Sequence, residues 1–451
     1  MKKEIALLEH APVGQAIVRL AFPSVLAMMV QVIYGLTDTF FIGQMQDPTL
    51  VASVSLVLPF VMLLQGIGNI FAFGGGAYIS QKLGAKQSEK ACQICASSFY
   101  LSVIAGGGIA LICRPLLGYI LPLLGTSAAT WLGTQTYLSI LMMCSFIQIP
   151  QIVLAGLIRA EGATRTAMQG ILVGTGLNIV LDYLFIMHWH GGIAGAAWAT
   201  VLGNAAGVCY YLFYFMYSKT LLSIRWRHFR PTKTMLKNVI MIGLPVALNT
   251  LIMSVSHVLT NHVAISYGEI TMAASGIMGR LLAIGIFIQM GIAQGYQPFA
   301  GYNYGAGRFD RLKQGFKVAL GLSTLVGIVI ASMFFVIGAK LVGIFIDNLE
   351  VISRAVIMIN AFVWGLPLFA FNFLTGVTFQ SAGRPKLALL LVLARQLLLF
   401  LPMLYGLNYL FGFKGFIFAQ PVSDIPVAVA CWVLLHFFFK SAKKKLQRLK
   451  K

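Results

Sequence analysis

Twelve apolar runs, each close to or above the length that crosses a bilayer, leave this chain few ways to fold. The hydrocarbon core is about 30 Å thick, and a helix rising about 1.5 Å per residue needs about 20 apolar residues to span it. Polar, glycine and proline interruptions divide the sequence into runs near 15–43, 50–80, 91–116, 127–158, 166–188, 193–217, 236–265, 271–301, 314–338, 350–381, 387–408 and 413–439. Lipid offers no partner to backbone N–H and C=O groups, so such runs must be helices. The fold class is therefore an all-α polytopic membrane protein with twelve transmembrane helices. A composition of 59% hydrophobic and 10% charged residues over 451 positions excludes a soluble protein with a water-facing surface. The opening Met1-Lys-Lys-Glu and His10 lack the pattern of a cleavable leader, so the first span is expected to act as its own address.

The net charge of +21 would suggest a nucleic-acid partner in a soluble chain, but here it is read by position. Alternate connections carry the basic residues: Lys82, Lys86 and Lys90; Arg159 and Arg165; the stretch Lys219 to Lys237; Arg308 to Lys317; Arg384 and Lys386. The opposite connections hold only Arg114, Lys340, Arg354 and Lys414. Both termini are therefore expected in the cytoplasm, as an even number of spans requires. The tail from Lys443 to Lys451 reads as a topology anchor, with binding to anionic headgroups as the alternative. Six cysteines, most inside spans, suggest no disulfide framework, and Cys92-Gln-Ile-Cys95 has no second pair to complete a metal site.

The two halves of the sequence repeat at an offset of about 221 residues. Ala21-Phe-Pro23-Ser-Val resembles Gly243-Leu-Pro245-Val-Ala, and Leu36-Thr-Asp38 resembles Leu259-Thr-Asn261. Lys82-Leu-Gly84-Ala85 matches Asn303-Tyr-Gly305-Ala306, and Arg159-Ala-Glu161-Gly162 matches Gln380-Ser-Ala382-Gly383. Six spans per half give both copies the same orientation, an arrangement that encloses a central cavity and works by rocking. Three segments follow: an N-lobe at 1–222, a C-lobe at 223–440 and a basic cytoplasmic tail at 441–451. The acids are unevenly shared, since Asp38 is answered by Asn261 (or by Thr260, where the offset slips by one), Glu161 by Ala382 and Asp182 by Met403. Coupling chemistry is accordingly expected in the first half.

A carboxylate in the hydrocarbon region costs at least about 2.5–3.5 kcal/mol and normally faces a polar cavity. Gln31, Tyr34 and Asp38 are spaced to share one helix face, and Asn178 and Asp182 share another. Asp38 lies five residues before Gly43, Asp182 six before His188, and Thr200 eight after Gly192, which puts all three at similar height in the outer half. Two acids close together in low dielectric cannot both stay ionised without a cation. With amide, hydroxyl and phenol oxygens they form a hard donor set suited to Na⁺ or a proton rather than to zinc or copper. Hydrogen bonds between neighbouring helices are the plainer alternative.

Glu161, four residues before Arg165, is explained by an i, i+4 ion pair at the membrane surface, with a cavity role as the alternative. His188 and His190 in an outer loop, and His257 and His262 in span seven, read as solvated or core histidines. Arg280, Arg395 and Asp424 fall near the midplane, and the cost of a lone charge there predicts that Arg395 and Asp424 pair. That pair is either scaffolding or part of the wall of a substrate cavity. Pro23, Pro59, Pro150, Pro245, Pro298 and Pro421 are expected to kink spans. No GxxxxGK[ST] loop is present, which argues against a built-in ATPase.

These residues resemble the multidrug and toxic compound extrusion (MATE) transporters over the whole chain. The resemblance rests on the Pro23 to Asp38 to Gly43 helix, the Arg159-Ala-Glu161-Gly162 turn, and Asn178-x-x-x-Asp182 followed by Gly195-Ala-Ala-x-Ala-Thr200. It implies two pseudo-symmetric six-helix bundles and export of amphipathic, often cationic compounds against inward Na⁺ or H⁺ by alternating access. The family's N-lobe coupling positions match Tyr34, Asp38, Asn178, Asp182 and Thr200, with Tyr137 and Gln31 nearby. Asp38 and Asp182 would bind the incoming cation, Asn178 and Thr200 completing a Na⁺ site, while helices one, five and six rearrange. C-lobe acids of spans seven and ten, present in some members, are missing here, and Asp424 does not match them. The resemblance further implies a multi-pass monomer in a bacterial cytoplasmic membrane, with lipids and amphipathic small molecules as partners and no nucleic acid. It implies no cofactor beyond the coupling ion and no enzymatic activity. A lipid or polysaccharide-precursor flippase of the same superfamily is the nearer alternative, kept open by Arg280 and Arg395, and an integral membrane enzyme the more distant one.

Overall fold

The computed structural model describes the backbone of residues 3–45 and 47–450 and the side chains of residues 4–38, 40–45 and 47–441. The side chains of the basic tail, Lys443 to Lys451, lie outside those described.

Among the described residues the chain is helical and without strands. In order, the helices are α1 (Lys3–Glu9), α2 (Val13–Gly43), α3 (Pro48–Gly84), α4 (Ser88–Cys113), α5 (Leu117–Leu123), α6 (Trp131–Met143), α7 (Ser145–Ala160), α8 (Thr164–Asp182) and α9 (Gly192–Tyr217). The second half holds α10 (Lys233–Ser266), α11 (Glu269–Gly305), α12 (Phe309–Gly343), α13 (Leu349–Phe362), α14 (Leu366–Ser381), α15 (Pro385–Leu393), α16 (Leu401–Phe411) and α17 (Phe413–Lys450). Eleven stretches are long and apolar enough to cross a bilayer, and the bent pair α6 and α7 makes a twelfth.

The fourth span departs from the continuous run 127–158 read in the sequence. It is two helices meeting at Cys144 with a 57° bend. The Ser145 hydroxyl reaches the Met142 carbonyl at 2.7 Å and the Gly106 carbonyl of α4 at 2.8 Å, which fixes the start of α7 against α4. The prolines behave differently. Pro23, Pro59, Pro150, Pro245, Pro298 and Pro421 all sit inside helices that continue through them. Each removes one backbone donor, a loss tolerated where neighbouring helices satisfy the freed carbonyl.

The chain forms two compact units, and a single cut in the middle of the sequence does not generate them. Unit 1 is Met1–Leu7 with Leu26–Ala247, and unit 2 is Leu8–Val25 with Leu248–Lys451. The first part of α2 therefore belongs with the second half of the chain, and the first part of α10 with the first half. One backbone contact recurs in both units at the repeat offset. A Cβ on Gly74 would lie 2.0 Å from the Val239 carbonyl of α10, and one on Gly295 would lie 2.4 Å from Ala21 Cα of α2. Association between membrane helices rests on such close approach, because lipid provides no hydrophobic drive between them.

The core of unit 2 gathers α10 to α14 with the starts of α16 and α17 around Leu282, Ile330, Phe334, Met358, Leu366 and Leu404. In unit 1, Leu154, Ile158, Ala167 and Tyr211 pack α7, α8 and α9 together. Tyr211, fully buried, satisfies its hydroxyl by donating to the Ala167 carbonyl at 2.7 Å.

Two carboxylates fasten the segments that precede α10 and α2. In unit 1 the buried Glu161, at the end of α7, accepts from the Tyr214 hydroxyl at 2.6 Å, the Thr220 hydroxyl at 2.8 Å and the Leu221 amide at 3.2 Å. Trp226 and Phe229 of the same linker pack edge-on against Tyr100. In unit 2, Glu9 ends α1 and accepts from Tyr302 and Arg308, each at 2.8 Å, while Asn303 donates to the Leu8 carbonyl at 3.3 Å. The Tyr302 hydroxyl, ahead of the Arg308 charge and against a smaller opposing effect of burial, holds the Glu9 carboxyl below its ordinary value.

Candidate functional site

In unit 1 four helices bring their polar side chains together. Tyr34 and Asp38 stand one turn apart on α2, Asn178 and Asp182 one turn apart on α8, and Thr200 projects from α9. The Tyr34 hydroxyl lies 3.5 Å from the Thr200 hydroxyl. Tyr137 of α6 has Asp38, Tyr34, Thr200 and Asp182 as its electrostatic neighbours, and Asp182 has Asp38 as its own. The five residues that the repeat and the helix spacing singled out thus form one cluster with Tyr137. Gln31 does not join it: it is exposed and makes no side-chain hydrogen bond among the described residues.

The α8 and α9 helices reach each other through glycine. A Cβ on Gly203 would sit 2.7 Å from both the Gly174 carbonyl and Asn178 Cβ. That backbone contact lies one turn below Thr200 and holds α9 against the face that carries Asn178 and Asp182. Immediately after Asp182 the helix widens into a π-helical stretch, Tyr183–His188. Such bulges are frequent at functional sites, because they displace one residue from the regular helix face.

Part of the cluster is buried, and the polar atoms of its acids and its asparagine are mostly unpartnered within the protein. Asp182 is 0% exposed and Asn178 3%. Both carboxylate oxygens of Asp182, both side-chain polar atoms of Asn178 and Oδ1 of Asp38 have no hydrogen-bond partner, and Thr134 Oγ1 on α6 joins them. Buried polar groups are ordinarily satisfied, and carboxylates are the most costly exceptions. Oxygen donors of this kind, with two carboxylates among them, fit a hard monovalent cation or a proton. No group of three or more His, Cys, Asp or Glu side chains among the described residues is disposed to hold a metal. Cys92 and Cys95 are buried free thiols. Thr134 escaped the sequence reading although it stands one turn before Tyr137; its hydroxyl carries no hydropathy signal strong enough to separate it from an ordinary helix-packing threonine.

Glu161 corrects a second reading. The expected partner, Arg165, is exposed, and the hydrogen bonds to the carboxylate come from Tyr214 and the linker. Glu161 is thus a buried anchor of the connection between the repeats, held by donors other than the expected Arg165.

Unit 2 contains a different structure. Arg395 and Asp424 make the pair expected from their depth, with Nε to Oδ1 at 2.7 Å and Nη2 to Oδ2 at 3.0 Å. Gln420 donates to the same carboxylate at 3.3 Å, and the guanidinium stacks over Phe369 at 5.0 Å. Arg395 falls in a second π-helical stretch, Ala394–Phe400. The pair lines a cavity of about 460 Å³ whose walls include Met253, Met278, Met358, Phe362 and Phe416. Arg280 and Asn261 also face this cavity, as does His257, an exposed histidine with no ligand role shown. His188, His190 and His262 are exposed.

Buried unpaired acids in one repeat, a lined cavity in the other and eleven or twelve apolar helices define a polytopic membrane transporter. The MatE family profile matches the chain twice, over residues 23–184 and 245–405, and the two matches begin one repeat apart. The chain belongs to the MatE family. It is 29% identical over 434 residues to the multidrug export protein MepA of Staphylococcus aureus, covering 96% of each chain. The match to the MepA of Staphylococcus haemolyticus is 29% over 444 residues, covering 98% of this chain and 97% of that one. Among solved structures, a multidrug resistance MATE family transporter of the MOP superfamily, in an outward-facing conformation, aligns with a TM-score of 0.93 at 25% identity over 98% of this chain and 99% of that one. A MOP superfamily transporter from Pyrococcus furiosus, described as having a binding pocket of reverse polarity, aligns with a TM-score of 0.91 at 25% identity over the same shares. The chain is thus a multi-pass membrane transporter with the MATE fold, and its relatives are export proteins rather than enzymes.

Proposed function

We propose that this protein exports amphipathic compounds, many of them cationic, in exchange for inward-moving Na⁺ or H⁺. The observation that carries the reading is the unit 1 cluster, where the buried Asp182 and Asn178 and the half-buried Asp38 hold side-chain polar atoms with no hydrogen-bond partner. Asp38 and Asp182 would receive the cation, Asn178, Thr200 and Tyr34 would complete its oxygen donors, and Tyr137 and Thr134 would close the site. A ligand shifts only an equilibrium whose states it binds differently, so cation and exported compound must favour opposite states of an alternating-access cycle. The relatives named as multidrug export proteins support the substrate class.

On this reading the protein works as a monomer in a bacterial cytoplasmic membrane with both termini inside, in keeping with the distribution of Lys and Arg. It needs no cofactor beyond the coupling ion. Export of a lipid or polysaccharide precursor is the second reading, favoured by Arg280. The charged residues lining the cavity, Arg280, Arg395 and Asp424, sum to one positive charge, which suits a small amphipathic molecule better than a polyanion. Expression in drug-sensitive cells separates the two. Raised resistance to several unrelated cationic dyes and antiseptics, lost with Asp182→Asn, is the expected result; unchanged resistance with altered lipid asymmetry would contradict it.

A further inference from the structure

The structure of unit 2 assigns its cavity a ligand chemistry: we propose that Arg280 receives the acidic group of an amphipathic molecule whose apolar body fills the space beside it. Three charged residues line the cavity, and two of them are spent on each other. Arg395 and Asp424 pair through both carboxylate oxygens, and Gln420 adds a third hydrogen bond to that carboxylate. Arg280 is left with no ion pair, side-chain hydrogen bond or aromatic stack among the described residues, yet it faces the same space. It stands within α11, a candidate membrane span, eleven residues from the helix start at Glu269.

A guanidinium inside a span is costly unless it finds an anion or water, and its planar fork binds carboxylate and phosphate through two parallel hydrogen bonds. The remaining walls suit the rest of such a ligand. Met253, Met278, Met358, Phe362 and Phe416 present flexible thioethers and aromatic faces, and methionine adapts its shape to varied apolar partners. Asn261 and Gln396, which also line the cavity, can hydrogen-bond a carbonyl or hydroxyl substituent. At about 460 Å³ the cavity is in the range that encloses a drug-sized molecule. A carboxylate-bearing amphipath and the phosphate of an anionic lipid share this chemistry. As a statement about an exported compound the proposal rests on the export reading above; as a statement about binding it stands without it.

The test is binding to the full chain purified into phosphatidylcholine nanodiscs, using pyrenebutyrate and its uncharged amide as matched probes. Wild type should bind the acid about tenfold more tightly than the amide, the size of one charge-assisted hydrogen bond. Arg280→Gln should abolish that preference and Arg280→Lys should keep part of it. Lys414→Gln, which removes a positive charge from an exposed position outside the cavity lining, should leave the preference intact. Adding phosphatidylglycerol to the discs distinguishes the sources: competition against the acid in wild type and not in Arg280→Gln assigns the site to a lipid phosphate, and its absence to a free amphipathic acid. Equal affinity for acid and amide in wild type, or a preference that survives Arg280→Gln, would overturn the proposal. Asp38→Asn separates this failure from failure of the export reading, since it should retain acid binding while losing gradient-driven export.

Discussion

The two repeats share a helix order and one recurring backbone contact, but their polar interiors have opposite sign. In unit 1 the charges of the polar cluster are Asp38, half-buried, and Asp182, fully buried, two acids with no basic partner in the cluster. In unit 2 the charges lining the cavity are Arg280, Arg395 and Asp424, of which Asp424 is buried and Arg280 exposed, with one arginine in excess. The fastenings of the incoming segments show the same reversal. Unit 1 contributes the carboxylate, Glu161, and the linker brings hydroxyl and amide donors. Unit 2 contributes Tyr302, Arg308 and Arg311, and the incoming segment brings the Glu9 carboxylate and the Leu8 and Ala11 carbonyls. On the two proposals made above, a duplicated scaffold separates two tasks, one half taking a cation and the other an acidic group.

The largest expected effect tests the sign of this contrast directly. Asp424→Asn leaves Arg395 buried with its main partner weakened, and removal of one member of a buried ion pair costs about 3–5 kcal/mol. Asp182→Asn should act in the opposite direction. Without a bound cation it replaces an unpartnered buried carboxylate by a neutral amide, which should raise stability by about 1–3 kcal/mol. Thermal unfolding of both variants in sodium-free, detergent-solubilised form checks this. Destabilisation by both would erase the distinction between the halves.

A smaller effect should come from the contact beneath the cation cluster. Gly203→Val places methyl groups where Gly174 and Asn178 already sit, and overpacking of this kind costs about 1–3 kcal/mol. Because the substitution moves α8 from α9, it should also weaken any stabilisation by Na⁺ or protons, while acid binding in unit 2 is unaffected. Unfolding temperature as a function of Na⁺ concentration and pH, set beside the pyrenebutyrate affinity, measures both.

The smallest effect concerns pH at Glu9. Its folded-state carboxyl titrates below its ordinary value near 4.5, so its contribution to stability is complete above that value and is lost as pH falls through the lower, folded one. The Glu9 fastening should therefore hold unchanged from about pH 5.5 to 8 and loosen only in more acidic solution. Limited proteolysis before Val13 over that range follows it, and Glu9→Gln should remove the acid dependence. Loosening between pH 6 and 7 would assign a different titrating group.

Much of this structure was legible because lipid makes both length and charge expensive. Hydropathy located the spans to within a few residues, and the cost of charge drew attention to Asp38, Asp182, Arg395 and Asp424. The Arg395–Asp424 pair followed from the same cost. What the residues concealed is equally specific. The break at Cys144 has no glycine or proline to announce it, since it depends on Ser145 finding the Gly106 carbonyl on another helix. The exchange of 8–25 into unit 2 leaves no mark on hydropathy, because a helix reads the same whichever unit it packs in. Glu161 was assigned to Arg165 by spacing, yet its donors lie more than 50 residues away along the chain. The sequence offered Arg395 and Asp424 as a cavity wall, but the apolar lining of the unit 2 cavity was invisible for a related reason: methionine and phenylalanine facing a cavity and those facing lipid have the same hydropathy.

The central claim is that Asp38 belongs to a cation site that drives export. Purified protein in proteoliposomes, with Na⁺ or pH gradients imposed one at a time, tests it most directly. Wild type should accumulate a cationic dye in response to one of these gradients, and Asp38→Asn should reduce that gradient-dependent component on the order of 100-fold, near the upper end of typical coupling energies, while still binding the dye. Undiminished gradient-driven transport by Asp38→Asn would contradict the account.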